Sequence, residues 1–350
     1  MENLASSDAE FEQHAKIDLD VEEIEAAADA YDFTEAMRVY ASGGNSLTAS
    51  GSTRTLKGFA TAGDSEMTKT GNYEETWFPI YKAYWTAHPT SYSTDGNYAD
   101  GFITGAAAAG PSVMKDAAAA ELIKGGIKYQ AVWMYALHKF EEAIGNCFET
   151  RAGTQLNSAW GMAELEAAWA YYVGSSLAGA THADANSSPG RMLFALARER
   201  AADFGTLRNY STAKPPYQYA EANSGAFGFL DGAREFSIGM CDCSDPINDP
   251  WYGMECRLEG FRIQLTIPLV QGVLKYAWLA DPANGASGDC NGAASQDAAT
   301  VSDDCARSWA RGWASAAAVL PQVDNCDATA TSGAKLEAIL KIPIARRDAT

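Results

Sequence analysis

The stretch from Asp116 to Asn146 constrains the fold most, because it reads as one long helix. Small or apolar residues recur at Ile127, Ala131 and Met134, which is the i, i+4, i+7 spacing of a buried helix face. Alanine, the residue that most favours helix, is common throughout the chain, and strand patterns are few. The sequence therefore predicts a mostly α-helical protein with long loops and few strands.

The same helix face leads to three ionisable side chains, His138, Glu141 and Glu142. At about 100° per residue they stay within roughly 60° of the apolar face, so that they point inward. A buried carboxylate is costly unless it is paired or bound to a metal, and a histidine with a glutamate at i+3 or i+4 can place both on one ion. The spacing leaves a metal site and a solvated helix end open as alternatives.

The composition excludes several classes of protein. The chain has 350 residues, of which 47% are hydrophobic and 20% charged, as is typical of a folded globular protein. The formal net charge of -19 argues against nucleic acid and anionic membranes as partners and suits the attraction of cations. The chain contains no run of 18 apolar residues, so that the sequence does not predict a membrane-spanning helix. The first residues lack a signal segment, which fits an intracellular protein or a mature form without its leader.

The cysteines indicate the compartment. The seven are Cys147, Cys241, Cys243, Cys256, Cys290, Cys305 and Cys326. Six of them lie in turn-rich sequence near the C-terminus without the spacing of a zinc site, which predicts disulfides and an oxidising compartment. The odd count leaves at least one thiol free or bonded to another chain. Glycosylation sequons at Asn186 and Asn209 agree with this compartment.

Two long sequence matches suggest an internal duplication. The motif Glu-Ala-x-x-Val-Tyr-x-x-Gly over residues 35–43 recurs as Glu-Ala-x-x-Ala-Tyr-x-x-Gly over residues 166–174, an offset of 131 (166 minus 35). Residues 121–130 match residues 255–264 at an offset of 134 (264 minus 130). The order is the same and the offsets nearly agree, which favours a repeat. Chance similarity between alanine-rich helices is the alternative.

A duplication predicts two helical bundles packed about a pseudo-twofold axis. We expect a loose N-terminal lead-in over residues 1–18, repeats over 19–152 and 153–325, and a C-terminal tail over 326–350. The lead-in contains His14, which this interpretation sets aside.

Several short motifs together resemble a known family. They are the first copy of the repeated motif with the following Gly-Gly-Asn-Ser-Leu over residues 43–47, Arg-x-Leu-x-Gly-Phe-Ala over 54–60, and Asn-Tyr-Ala-Asp-Gly over 97–101. Together they resemble the algal Fea proteins, low-iron-inducible periplasmic proteins whose domain also occurs in phytotransferrins. The resemblance covers most of residues 20–320. It implies secretion to the periplasm or cell wall and ferric iron binding for uptake, with a cell-surface receptor or reductase as a further partner. For phytotransferrins it also implies carbonate as a synergistic anion.

A looser similarity points to imelysin-like proteins. These are duplicated helical bundles of bacterial envelopes with a His-x-x-Glu motif on a helix, and His138-Lys-Phe-Glu141 is similar to it. The glycine two residues before that histidine is replaced by Ala136, which weakens the similarity.

Ferric iron is a hard cation that prefers oxygen donors, so that carboxylates and phenolates are the expected ligands. The repeated motif offers Glu35 and Tyr40, and Glu166 and Tyr171, as ligands from helices that face His138. The alternatives are core packing for the tyrosines and a solvated helix surface for the glutamates. Arg54 and Arg191 occupy matching positions in a further short sequence match between the two halves. They could hold a carbonate with two hydrogen bonds, or they could form structural ion pairs.

Other functions are less well supported by the sequence. No Gly-x-Ser-x-Gly, His-Glu-x-x-His or phosphate-binding glycine loop is present, so that we expect a binding protein and not an enzyme. An imelysin-like metallopeptidase using Glu141 and Glu142 is one alternative. A carbonic anhydrase-like activity is another alternative, and it has less support than the metallopeptidase. An extracellular matrix or interaction protein without a metal is the alternative from another class.

Overall fold

The structure is a computed structural model that describes eight stretches of the chain. They are residues 9–87, 98–110, 113–151, 161–175, 190–209, 218–239, 250–290 and 301–326. Most of these residues are helical, which confirms the mostly α class. The α-helices, in chain order, are α1 Ala9–Ala15, α2 Ile17–Asp29, α3 Phe33–Ser42, α4 Leu56–Thr61, α5 Gly63–Glu66, α6 Trp77–Ala87, α7 Tyr98–Ala108, α8 Asp116–Gly125, α9 Trp133–Arg151, α10 Met162–Val173, α11 Leu193–Asp203, α12 Glu221–Gly239, α13 Pro250–Ala280 and α14 Asp303–Cys326. A π-helical segment, Gly126–Val132, joins α8 to α9, and a 3₁₀ turn, Pro282–Ser287, follows α13.

The strands of the described stretches form two small hairpins. Strands β1 Lys69–Thr70 and β2 Tyr73–Glu74 pair antiparallel, with Thr70 opposite Tyr73. Strands β3 Leu207–Asn209 and β4 Gln218–Ala220 pair in the same sense. Each hairpin is too short to be stable alone and depends on the helices around it.

The chain divides into two compact units that each draw on both halves of the sequence. The first unit comprises Met1–Asp20, Ser42–Pro79 and Val132–Pro268, and the second comprises Val21–Ala41, Ile80–Ala131 and Leu269–Thr350. A compact unit and a sequence repeat are different divisions of a chain. The repeats over 19–152 and 153–325 and their pseudo-twofold relation therefore stay predictions.

The described part of the expected loose lead-in, residues 9–18, is mostly helical. Residues Ala9–Ala15 form helix α1, because Phe11 and Ala15 bury one face of it. The loop after α3 also holds this helix. The Ser46 hydroxyl donates to the backbone oxygen of Gln13 (2.6 Å), and the Leu47 amide donates to the Gln13 side chain (3.1 Å). These contacts place α1 in the first unit.

Two aspartates at the start of α2 fasten the loops that end the two copies of the repeated motif. Asp20 Oδ1 accepts hydrogen bonds from the backbone and side-chain nitrogens of Asn45 (3.2 and 2.7 Å). Asp18 accepts hydrogen bonds from the backbone nitrogen (2.9 Å) and the hydroxyl (2.6 Å) of Ser175. Both aspartates are buried, and hydrogen bonds to a buried carboxylate are among the strong ones.

The final glycine of each motif copy has the conformation that these loops require. Gly43 has φ +56° and Gly174 has φ +79°, which L-amino acids rarely adopt. A Cβ on Gly43 would lie 2.6 Å from the backbone oxygen of Arg54, and a Cβ on Gly174 would lie 2.6 Å from Asp18 Oδ2. The two glycines are therefore needed for the close approach to their neighbours.

Among the described cysteines, three are oxidised. Cys290 and Cys305 form a disulfide, Cys147 is also disulfide-bonded, and Cys256 and Cys326 are free and exposed. Cys241 and Cys243 lie outside the described residues. The predicted disulfides are thus confirmed for one pair of C-terminal cysteines. In the part of the chain that the structure describes, no helix has both the length and the apolar character to cross a membrane.

Candidate metal centre

The first unit contains a cavity of about 250 Å³. It is lined by Glu10, Phe11, His14, Arg54, Tyr135, Lys139, Ala163, Glu164, Glu166, Ala167 and Tyr171. The lining combines phenols, an imidazole, carboxylates and two cations. Helix α10 contributes alanines at two of its lining positions, and these short side chains leave the space that the cavity occupies.

An imidazole and a phenol meet in this cavity. His14 on α1 and Tyr171 on α10 approach each other with 2.5 Å between Nδ1 and the hydroxyl oxygen. Their rings stand edge to face, with centroids 5.2 Å apart. Tyr171 is fully buried, whereas 12% of the His14 side chain is exposed. Two donor atoms that can bind metals therefore lie side by side at the edge of the cavity.

A second phenol comes from helix α9. The Tyr135 ring stacks flat on Phe59, with centroids 3.9 Å apart and an interplanar angle of 4°. It also meets the Tyr171 ring edge to face at 5.5 Å. Phe59 touches Tyr171 as well, at 4.9 Å, so that one apolar ring fixes the orientation of both tyrosines.

Two cations border the donor groups. Arg54 Nη2 lies 3.3 Å from His14 Nε2 and 3.5 Å from Glu10 Oε1. The Lys139 ammonium lies 5.3 Å from the centroid of the Tyr135 ring and 2.5 Å from Glu142 Oε2. These cations can neutralise nearby carboxylates or hold an anion in the cavity.

The electrostatics keep the imidazole neutral. Burial, followed by the charges of Arg54 and Lys139, lowers the pKa of His14 to about 3. A guanidinium can only donate, so that Nε2 of His14 accepts from Arg54 and Nδ1 carries the proton that faces Tyr171. A neutral imidazole is the form that binds metals.

The surroundings of the cavity shift its phenols and one of its carboxyls towards their protonated forms. Burial raises the pKa of Tyr171 well above its ordinary value, and it raises the pKa of Tyr135 as well. Burial, with a further contribution from Glu142, raises the pKa of Glu164. A cation that binds here must therefore displace protons, which makes its affinity depend on pH.

The predicted site on α9 is used differently. His138 and Glu141 are buried, as their spacing predicts. However, His138 Nδ1 lies 2.8 Å from Glu75 Oε2, and Glu141 Oε1 accepts the Thr76 amide hydrogen at 2.6 Å. Burial and the Glu75 carboxylate raise the pKa of Glu141 well above its ordinary value. These two side chains therefore contact the junction between β2 and α6, and metal binding by His138, Glu141 and Glu142 stays a prediction.

Glu142 lies beside His138 and nearer to the solvent. Its carboxylate is 27% exposed, 3.8 Å from His138 Nε2 and bound to Lys139. Glu142 does not line the cavity, but its ion-pair partner Lys139 does.

The first motif copy supplies no donor to this cavity. Glu35 forms an exposed ion pair with Arg38, with 2.6 Å between Oε1 and Nη2. The Tyr40 hydroxyl is buried and donates to Asp100 Oδ1 at 2.9 Å. All four residues belong to the second unit. The grouping of Glu35 and Tyr40 with His138 stays a prediction, whereas Glu166 and Tyr171 both line the cavity.

The two predicted anion-binding arginines differ in position. Arg54 lines the cavity, whereas Arg191 is exposed just before α11. The sequon residue Asn209 is exposed at the end of β3, and Asn186 lies outside the described residues. Glycosylation at either asparagine stays a prediction.

Sequence reasoning missed His14, Tyr135 and Lys139. For His14 the available signal was the i, i+4 pair of Phe11 and Ala15, which predicts a short amphipathic helix in the supposed lead-in. Tyr135 could have been found because it lies four residues after Ala131 on the apolar stripe. Lys139 follows Tyr135 by one helical turn.

In the described residues, no group of three or more histidine, cysteine, aspartate or glutamate side chains is arranged to hold a metal ion. The phenols of Tyr135 and Tyr171 are oxygen donors of another kind, and they lie at the cavity.

The family model of the low iron-inducible periplasmic proteins (Fea1) matches residues 7–209. This match covers more than half of the chain. The chain belongs to this family. All residues that line the cavity fall within the matched stretch, from Glu10 to Tyr171. No curated protein and no solved structure matches the chain.

Proposed function

We propose that this low iron-inducible periplasmic protein binds ferric iron in the cavity of the first unit and serves iron assimilation outside the cell membrane. The iron is cargo and is bound by the Tyr135 and Tyr171 phenolates, the His14 imidazole and one carboxylate. Glu10, Glu164 and Glu166 all line the cavity and are the available carboxylates. The name of the family, which refers to low iron and to the periplasm, supports this proposal.

The observation that carries the proposal is the contact between His14 and Tyr171 inside a cavity that also holds a second phenol. The donors suit a hard trivalent cation, because phenolate and carboxylate oxygens are its preferred ligands. Two phenolates and one carboxylate provide three negative charges, which balance the charge of ferric iron. The neutral imidazole adds a ligand without changing that balance.

Arg54 and Lys139 extend the proposal to an anion. A guanidinium presents parallel N–H donors that fit a planar anion, and Arg54 faces the donors from the His14 side. Carbonate bound there would supply oxygen atoms to the iron and would separate the metal from the cation. Removing the Arg54 charge should then weaken iron binding and reduce its dependence on bicarbonate.

The proposal makes a quantitative statement about protons. Each phenol is protonated before binding, and each must lose its proton to become a ligand. With two phenolates, iron affinity should rise about a hundredfold for each pH unit below the phenol pKa values, because each displaced proton contributes about tenfold. A chelator competition at pH 6, 7 and 8 measures this slope.

Titration of the metal-free protein with ferric nitrilotriacetate in bicarbonate buffer tests the donor set. We expect a visible phenolate-to-iron absorption band. Tyr171→Phe should lower the affinity at least a hundredfold, about 2.7 kcal/mol, and Tyr135→Phe should act similarly. His14→Gln should cost about tenfold, because a neutral ligand is lost.

Two control variants keep the interpretation specific. Tyr172→Phe removes a neighbouring buried phenol that donates to Asn223 Oδ1 at 2.6 Å, and it should leave the band and the affinity unchanged. Glu141→Gln keeps an oxygen acceptor for the Thr76 amide and should also leave iron binding unchanged. The proposal is contradicted if the band persists in Tyr171→Phe, or if Glu141→Gln removes it. Zinc content with peptide hydrolysis would favour the metallopeptidase, and absence of any bound metal would favour an interaction protein.

A further inference from the structure

Helix α13 carries an exposed apolar stripe. Of the nine large apolar side chains that are exposed in the described residues, five lie on this helix. They are Ile263 (48% exposed), Ile267 (36%), Val270 (40%), Leu274 (58%) and Trp278 (51%). Apolar contacts on a partner are the usual reason for such a concentration on one element.

The stripe has the spacing of a helix-pairing face. Its members are separated by four, three, four and four residues, so that at about 100° per residue they stay within a sector about 80° wide. The opposite face of α13 is already used, since Phe261 and Leu265 are fully buried. Among the described residues, the stripe is therefore separate from the core that Phe261 and Leu265 help to form.

A free thiol lies on the same stripe. Cys256 is seven residues before Ile263, which places it on the same helix face, and it is exposed. The other described cysteines comprise three that are disulfide-bonded and Cys326, which is also free. With seven cysteines in the chain, pairing within one molecule must leave at least one thiol over.

The charge pattern favours contact between two copies of this chain. Each copy has a formal net charge of -19, so that two copies repel unless they meet where carboxylates are absent. Residues 260–280, which hold the five apolar residues of the stripe, contain no acidic residue and include Arg262 and Lys275, whereas Glu255 and Glu259 flank Cys256. The α13 stripe thus lies in one of the regions where two acidic copies can approach.

We propose that two copies of the protein pair along α13, parallel and in register, and that Cys256 forms a disulfide with Cys256 of the partner subunit. A parallel arrangement places each stripe residue against its own counterpart, as in an isologous interface. Covering the stripe and its polar flanks on both copies buries about 1,000 Å² in total, which is near the lower bound for a specific interface. The disulfide compensates for this modest area.

A small-molecule disulfide serves as the oxidant of the two Cys256 thiols. A sulfur–sulfur bond forms between the two Cys256 sulfurs as their S–H bonds break. The two protons and two electrons pass to a disulfide oxidant such as oxidised glutathione, whose bond breaks to give two thiols. An oxidising compartment allows this step.

Two matched thiol variants test the pairing. The full-length protein is incubated with a glutathione redox buffer and analysed by non-reducing electrophoresis and light scattering. Wild type and Cys326→Ser should form a covalent dimer, whereas Cys256→Ser should lose it. A dimer that persists in Cys256→Ser, a dimer that requires Cys326, or a wild-type protein that stays monomeric overturns the proposal.

A second pair of variants tests the stripe with both thiols retained. Leu274→Glu should lower the yield of covalent dimer at least tenfold, because it places a carboxylate in each copy of the seam. Val113→Glu changes an equally exposed apolar residue (51%) outside α13 and should have no effect. Unchanged melting temperatures show that both variants fold. Equal dimer yields for Leu274→Glu and wild type would overturn docking along the stripe.

Discussion

Tyr40 and Tyr171 occupy the same place in the repeated motif, but their surroundings differ. Both motif copies end in a glycine with positive φ, and both following loops are fastened by an aspartate of α2. Tyr40 nevertheless donates to Asp100 in the second unit, whereas Tyr171 meets His14 at a cavity of the first unit. The motif thus determines the backbone at each helix end. The surroundings of each tyrosine determine whether its hydroxyl lies at a cavity where a ligand could bind.

The neighbouring positions show the same divergence. At the offset of 131, the counterpart of Glu164 is Phe33 (164 minus 131), and the counterpart of Glu166 is Glu35. A ring therefore stands where the cavity has a carboxylate. The comparison teaches that the residues of the candidate site come only partly from the motif. His14 comes from α1 and Tyr135 from α9, and neither belongs to a motif copy.

The largest expected effect concerns stabilisation by iron. A ligand that binds only the folded state stabilises it by about 4 kcal/mol at a thousandfold excess over Kd. We expect this shift in wild type and in Tyr40→Phe, and we expect its loss in Tyr171→Phe. Tyr40→Phe alone should cost about 1–2 kcal/mol, because Asp100 loses a donor. Urea unfolding with and without ferric nitrilotriacetate measures both quantities. Equal iron stabilisation of the two variants would break the comparison.

The next effect concerns the shared backbone of the two motif copies. Gly43→Ala and Gly174→Ala should each destabilise the protein by about 3 kcal/mol, because positive φ and a close neighbour act together. Gly51→Ala is the control, since Gly51 also has positive φ but no atom lies within 4 Å of its Cβ position. It should cost about 1 kcal/mol. Similar costs at all three positions would show that the loops are not held as described.

The smallest effect concerns pH in the metal-free protein. The pKa of His14 is about 3 in the folded state against an ordinary value of 6.5, so that only the unfolded chain takes up this proton between these values. Stability should therefore fall as pH decreases from 6.5 towards 3, by about 1 kcal/mol for each unit. His14→Gln should flatten this slope, and Tyr40→Phe should not. Denaturant titrations at pH 6.5 and 5.5 compare the three proteins, and an unchanged slope in His14→Gln would contradict the burial of a neutral imidazole.

Local sequence signals predicted the helical class and the buried face of the central helix well. The stretch from Asp116 to Asn146 is helical throughout, and His138 and Glu141 point inward as their spacing indicates. These features depend on periodicity within one helix, which a single sequence reveals. The seven-residue π-helical segment in the middle was not predicted, because its hydrogen bonds depend on packing and not on a residue pattern.

The parts that were missed depend on distant partners. Glu75 follows strand β2 and lies 63 residues before His138, and nothing in the local sequence of either residue shows that they meet. Helix α1 has only seven residues, too few to be stable without the packing of Phe11 and Ala15. For this reason the local sequence predicts a loose segment around His14 and gives no sign that His14 meets Tyr171.

The same dependence on distant partners determines when the cavity can form as the chain is made. Asn45 follows Asp20 by only 25 residues, so that the first fastened loop can close early. Tyr171 follows His14, and Ser175 follows Asp18, by 157 residues in each case. At a synthesis rate of about 5–20 residues per second, the second residue of each of these pairs is made roughly 8 to 30 seconds after the first. During that interval α1 has no completed cavity to border, and a chain that stops before α10 has His14 and Tyr135 but lacks Tyr171 and the carboxylates of α10.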